Sequence, residues 1–217
     1  MRERYHEQLH MLNRKMIEMG ALCEKVIELA CGALLAGDGS KAGDVQPFAR
    51  QIDQMEREIE SICLKLLLQQ QPVAGDLRQI SAALKMITDM ERIGDQAEDI
   101  AEIITFLNGR TGAECEDIRR MADAAIWMVS KSVDAYVRQD VVLAKAVEKH
   151  DDVVDDCFVR VKNSLIRMIS ENMADGEYAL DLLMIAKYFE RIGDHAVNIA
   201  EWTEFSVTGI HEGDEQG

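Results

Sequence analysis

The 217-residue sequence predicts an all-α fold: six helices forming two tandem three-helix bundles related by an internal repeat. Apolar residues recur at three- and four-residue spacing along nearly the whole chain, and strand-like alternation is absent. Only 2 prolines interrupt it. A five-residue string, Glu91-Arg-Ile-Gly-Asp95, returns unchanged as Glu190-Arg-Ile-Gly-Asp194, at an offset of 99.

Punctuation by glycine and proline sets the elements in order. Breaks fall at Gly37-Asp-Gly-Ser-Lys-Ala-Gly43, read as a glycine-rich loop, at Gln71-Pro72, at Asn108-Gly-Arg-Thr-Gly112, near Gln139-Asp140 and at Asp175-Gly176. Between them helices are expected over roughly 4–36, 45–70 and 73–107 in a first repeat spanning 1–110. A second repeat, 111–208, holds helices over roughly 114–138, 141–173 and 177–207, and a mobile acidic tail covers 209–217. Short connections make consecutive helices antiparallel neighbours. At the offset of 99, Asp53-x-x-Glu56 falls on Asp152-x-x-Asp155 and Asp99 on Asn198, whereas an offset of 102 brings Asp38 onto Asp140 and Ala33 onto Ala135. A three-residue difference in the loop before the second and fifth helices reconciles the two.

Hydrophobic residues make up 47% of the chain and charged ones 29%, the composition of a globular protein with a sizeable core. The formal charge is −16, from 40 acidic and 24 basic residues, so phosphate backbones and anionic lipid are repelled and no nucleic acid is expected as a partner. No 18-residue apolar run occurs, so no membrane insertion is expected. The opening Met1-Arg-Glu-Arg-Tyr-His-Glu lacks the apolar core of a secretory signal. Cys23, Cys31, Cys63, Cys115 and Cys157 form no C-x-x-C pair and are expected as buried free thiols, which places the chain in the cytoplasm.

On a wheel of about 100° per residue, Ile80, Ala83, Ile87, Met90, Gly94, Ala97, Ala101 and Ile104 form one apolar face of the third helix. Glu91, Asp95 and Asp99 line one edge of that face, and Glu190, Asp194 and Asn198 line the matching edge of the sixth. Like charges one helical turn apart cost about 0.2–0.5 kcal/mol per pair, which calls for a compensating positive charge. Either Arg92 and Arg191 fold back, or a metal cation bridges the stripe to Asp53 and Glu56 and, in the second repeat, to Asp152 and Asp155. Oxygen-only ligands suit magnesium, calcium, manganese, iron or zinc. The competing reading is of solvated acids that keep a metal-free helical scaffold soluble. His195 and His150 read as surface histidines, the methionines as core, and Trp127 and Trp202 as core or interface anchors. No nucleophile–base pair, phosphate loop or dinucleotide fingerprint is present, so no enzyme is expected. A carboxylate-bridged di-iron metalloenzyme is the catalytic alternative, although Glu91 and Glu190 lack the histidine three residues on that such centres use.

These motifs resemble the PhoU family of phosphate-signalling regulators. The first copy carries Met19-Gly20, Asp53-x-x-Glu56, Gln71-Pro-Val-Ala-x-Asp-Leu-Arg78 and Asp89-Met-Glu-Arg-Ile-Gly-Asp95. The second carries Asp152-x-x-Asp155 and Tyr188-Phe-Glu-Arg-Ile-Gly-Asp-His195. The pattern departs at Pro72, which has no second copy, and at Asn198, which replaces an acid. The resemblance implies a PhoU-like pair of bundles with multinuclear iron or zinc clusters on the acidic motifs. It also implies a homodimeric, non-catalytic negative regulator of phosphate transport and homeostasis. The partners implied are the phosphate transporter ATPase and the membrane sensor histidine kinase.

Overall fold

Six long helices carry the chain: α1 (Arg2–Ala36), α3 (Gln46–Gln69), α4 (Ala74–Ile104), α5 (Cys115–Arg138), α6 (Val141–Glu171) and α7 (Gly176–Thr208), with a short α2 (Gly39–Ala42). This computed structural model describes residues 2–69, 74–111 and 115–210, with side chains over 5–68, 74–111 and 116–210. The Pro72 break, the Cys115 thiol and tail residues 211–217 lie outside the described residues. Cys23, Cys31, Cys63 and Cys157 are buried, and none is in a disulfide. Among the described residues no helix is long and apolar enough to cross a membrane.

The glycine-rich segment is more ordered than a loop. Asp38 caps α2, accepting from the Ser40 amide at 3.0 Å and the Ser40 hydroxyl at 2.6 Å. The corner itself is repeated. α1 ends with Gly37 at φ +61°, Gly37 N donating to Leu34 O and Asp38 N to Ala33 O, both at 3.1 Å. α5 ends with Gln139 at φ +55°, Gln139 N donating to Tyr136 O at 3.2 Å and Asp140 N to Ala135 O at 2.9 Å. Both are left-handed caps that satisfy the last carbonyls, and they are related by the offset of 102.

That offset continues through the next helix, which corrects the register expected from the acidic motifs. Buried Val45, just before α3, and Ile52, Met55, Ile59 and Cys63 within it correspond to buried Val147, Val154, Cys157, Val161 and Leu165 of α6, all 102 residues apart. At the offset of 99, Ile59 would face half-buried Phe158, and Cys63 would face exposed Lys162. Asp53 is therefore matched by Asp155, Asp152 by Arg50 and Glu56 by Phe158. The three-residue difference lies after these helices, in the connection that holds Pro72 in the first repeat, and not before them. This is why the proline motif has no second copy.

Each repeat forms a three-helix bundle, but the two share one continuous core. α4 and α7 pack antiparallel along the seam, and α1 packs on α5 beside them. The expected apolar face of α4, from Ile80 to Ile104, is buried there. Gly20 admits the close approach of α1 to α5, since a Cβ would meet Val133 Cγ2 at 3.1 Å.

Gly37 is held to glycine twice over, by its left-handed backbone and by Gly109 O, which lies 2.6 Å from where a Cβ would be. Gly37→Ala is expected to cost about 1–2 kcal/mol from the backbone alone, and more from the contact. Gly32, helical with nothing within 4 Å of its Cβ position, is the control. Gly32→Ala should stabilise by about 0.5–1 kcal/mol. Urea unfolding of both variants measures the contrast.

Candidate metal centres

Each candidate centre forms where a long helix is crossed by the one before it. Spacing of four residues sets Glu91 and Asp95 one turn apart on α4. Gly94 stands between them, and a Cβ there would meet Ile52 Cδ1 of α3 at 3.3 Å. The bare backbone lets α3 settle close, and the residue after Ile52 is Asp53. Carboxylate oxygens of Asp53, Glu91 and Asp95, all half-buried, lie within 4.8 Å of one another. This carboxylate group could hold a metal ion.

Gly193 plays the same part on α7. A Cβ there would lie 3.5 Å from Val154, the counterpart of Ile52, and 2.9 Å from Asp151 Oδ1. Asp155, Glu190 and Asp194 thus occupy the positions of Asp53, Glu91 and Asp95. Asp151 joins them where the first repeat has buried Ala49. Its Oδ1 is buried and has no hydrogen-bond partner. Burial and then Asp155, Asp194, Glu190 and Asp152 push its carboxyl up to about 6. The sequence reading missed Asp151. The available signal was its spacing to Asp155, the same i,i+4 step as Glu190 to Asp194.

Like-charge crowding runs through both groups. Burial, followed by Asp95, raises Glu91. Burial, followed by Glu190, raises Asp155. Partial desolvation and Glu190 raise Asp194, against the pull of Lys187, although its side chain reaches the surface. The counter-charges differ between repeats. Arg92 does fold back, with Nε 3.5 Å from Glu91 and Nη1 3.3 Å from Asp95. Arg191 does not follow it: its guanidinium lies 5.9 Å from the centre of the Tyr188 ring. Lys187 pairs with Glu190 instead.

The remaining expected ligands are placed differently. Glu56 is half-buried and raised by burial, then by Glu60 and Asp53, one turn beyond the trio. Asp152 is exposed on α6. Asp99 faces the Tyr188 hydroxyl across the seam, close enough for each to shift the other's titration. Asn198 donates through Nδ2 to Asp89 Oδ1 at 2.9 Å. His195 is no idle surface histidine: its Nδ1 lies 2.9 Å from the same Asp89 oxygen. Tyr188 and Asp99 are the repeat counterparts of Asp89 and Asn198, so these contacts mirror each other across a local two-fold axis between Gly94 and Gly193. His150 packs its ring against Trp127 at 4.3 Å.

A family model described as PhoU domain matches the chain twice, over residues 16–104 and 118–203. The chain belongs to the PhoU family. Each match contains one whole carboxylate group, so the PhoU repeat and the structural repeat coincide. A phosphate-specific transport system accessory protein PhoU homologue from Clostridium acetobutylicum is 36% identical over 210 residues, covering 96% of both chains. PhoU homologue 1 from Methanothermobacter thermautotrophicus is 34% identical, covering 94% of each. The crystal structure of PhoU from Pseudomonas aeruginosa superposes with a TM-score of 0.89 at 33% identity, over 95% of this chain and 100% of that one. The phosphate transport system regulatory protein PhoU from Streptococcus pneumoniae shares the fold, with a TM-score of 0.87 at 22% identity and coverage of 95% and 98%.

Asp151 gives a pH test with a defined sign. Its folded-state carboxyl titrates near 6 against an ordinary 3.8, so the folded form binds the proton more tightly. Stability is fully present below 3.8 and is lost as pH rises through about 6. In chelator-treated protein, Asp151→Asn should melt like the parent near the lower value and above it at neutral pH. A melting-temperature difference that does not grow across this window contradicts the assignment.

Proposed function

We propose that this chain is a cytoplasmic accessory protein of a phosphate-specific transport system, acting through protein contacts and not through catalysis. As a homodimer it restrains the phosphate response and modulates phosphate uptake, through the transporter ATPase and the sensor histidine kinase. Relatives named as such accessory proteins match it over nearly its whole length, and this carries the reading. An acidic surface and the lack of any nucleophile–base pair in the sequence are consistent with an adaptor.

The reading includes metal. Asp53, Glu91 and Asp95 would hold cations in one half, and Asp151, Asp155, Glu190 and Asp194 in the other. The residues fit: the donors are carboxylate oxygens, and Asp151 Oδ1 is a buried acceptor without a donor. When bound, a cation supplies the positive charge that ties α3 to α4 and α6 to α7. Iron or zinc in multinuclear clusters is the family expectation, and the donor chemistry also admits magnesium, manganese or calcium. In the di-iron alternative a histidine nitrogen would complete each group, but the first repeat has Gln96 where the second has His195.

Deleting the gene should switch on phosphate-starvation genes in phosphate-replete cells and alter uptake. Unchanged expression and uptake would sink the adaptor reading. Substituting both Asp95 and Asp194 by Ala should lower bound metal by elemental analysis while the far-UV helical signal persists. Unchanged stoichiometry would place the ligands elsewhere.

A further inference from the structure

The corner that leads into the second helix of each repeat is finished differently in the two halves. In the first half, α2 and the start of α3 leave an open cavity of about 420 Å3 against the last turns of α4. Buried Ala42 and Ala101 give it an apolar wall, and Gln46, Glu98, Glu102 and Thr105 give it polar ones. No lysine or arginine lines it. Arg50 acts on Glu98, and Arg191 on the neighbouring Asp99, from outside the lining. Lys41 turns to Asp38, at 3.9 Å. The last turn of α4 holds no basic residue, although a helix C-terminus favours one. Gly43, exposed at the edge of the cavity, is not required by the backbone: its φ is −63°, and a Cβ would meet only Ser40 O, at 3.5 Å. Other residues fit that conformation and lose less freedom on folding. What glycine does there is leave the cavity open. In the second half the residue 102 positions on is Lys145. Its exposed side chain crosses to α7, where Nζ lies 3.8 Å from Glu204, 99 residues after Thr105. That half supplies an ammonium to its own helix end.

We propose that the cavity beside Gly43 is a socket for one lysine side chain of a partner protein. Ala42 and Ala101 suit the methylene stem, Glu98 and Glu102 the ammonium, and Gln46 and Thr105 add neutral acceptors. A bare divalent ion would use the oxygens and leave the apolar wall without an occupant. The second half completes its corner with Lys145, and the first half, with glycine at that position, is completed by another chain. A protein of net charge −16 meets a basic surface with complementary charge. This places one contact of the adaptor proposed above, and it rests on that reading for the source of the lysine.

The probe is a blocked pentapeptide with a single lysine, titrated into the full chain at low salt with chelator present and followed by the amide NMR signals of Gly43 and Thr105. Saturable shifts at both are expected, at least about tenfold tighter than with norleucine in place of the lysine. Glu102→Gln, at an exposed side chain, should abolish the difference between the two peptides. Gly43→Lys should occupy the socket from within. Its melting temperature should exceed that of Gly43→Met, which carries a stem without the charge, and the lysine peptide should no longer shift Thr105. Equal binding of the two peptides, or binding of neither, would overturn the socket and leave the adaptor reading standing. Lysine-peptide binding that survives Gly43→Lys would overturn it too. Cadaverine saturating these signals where the peptide does not would overturn the protein source in favour of a free amine.

Discussion

Close approach of helices at two glycines is the constraint on which the rest of the structure depends. Gly94 and Gly193 let α3 and α6 settle onto the long helices that carry the repeated string. A side chain at either position would press on what faces it, Ile52 at 3.3 Å from the Gly94 Cβ position and Asp151 Oδ1 at 2.9 Å from that of Gly193. The apolar residue filling each gap, Ile52 or Val154, is fully buried, and the acid next to it in sequence is thereby carried to the rim. Packing and charge placement are one event: hydrophobic burial, worth about 1.5–3 kcal/mol for such a side chain, holds like charges together that would otherwise separate.

The seam between α4 and α7 joins the two crossings. It has polar contacts at mirrored positions, Asp89 with His195 and Asn198 on one side and Tyr188 with Asp99 on the other. Outside these, Lys85 lies 5.9 Å from the Trp202 ring centre, and Arg78 packs against Gly209. Groups next to each carboxylate cluster are thus tied to the opposite half. Asp99 lies one turn beyond Asp95, and His195 follows Asp194, so each cluster adjoins a seam contact in sequence.

Six helices, the buried face of α4 and the paired acids on α4 and α7 were legible in the sequence, because they rest on local periodicity and on an identical string. The register of α3 against α6 was not. Acids are so dense on α6 that Asp53 finds one at either offset, Asp152 at 99 and Asp155 at 102. Burial separates the two alignments, and the decisive pairs, such as Ile59 with Val161 and Cys63 with Leu165, are similar in character without being identical. Asp151 was hidden by the same ambiguity, since its counterpart is an alanine. His195 looked like a surface residue and Asn198 like a stripe ligand because their partner, Asp89, is more than 100 residues away in sequence and meets them only in the folded seam.

The local two-fold axis between Gly94 and Gly193 has an evolutionary corollary. A half-length ancestor carrying one copy of the third helix would own both sides of the seam, and two such molecules would dock by it as a symmetric pair. Fusion into a single polypeptide freed the copies from obeying identical sequence. Tyr188 could then stand opposite Asp99 while Asp89 faces Asn198, and an alanine could stand in one half where its twin has an aspartate.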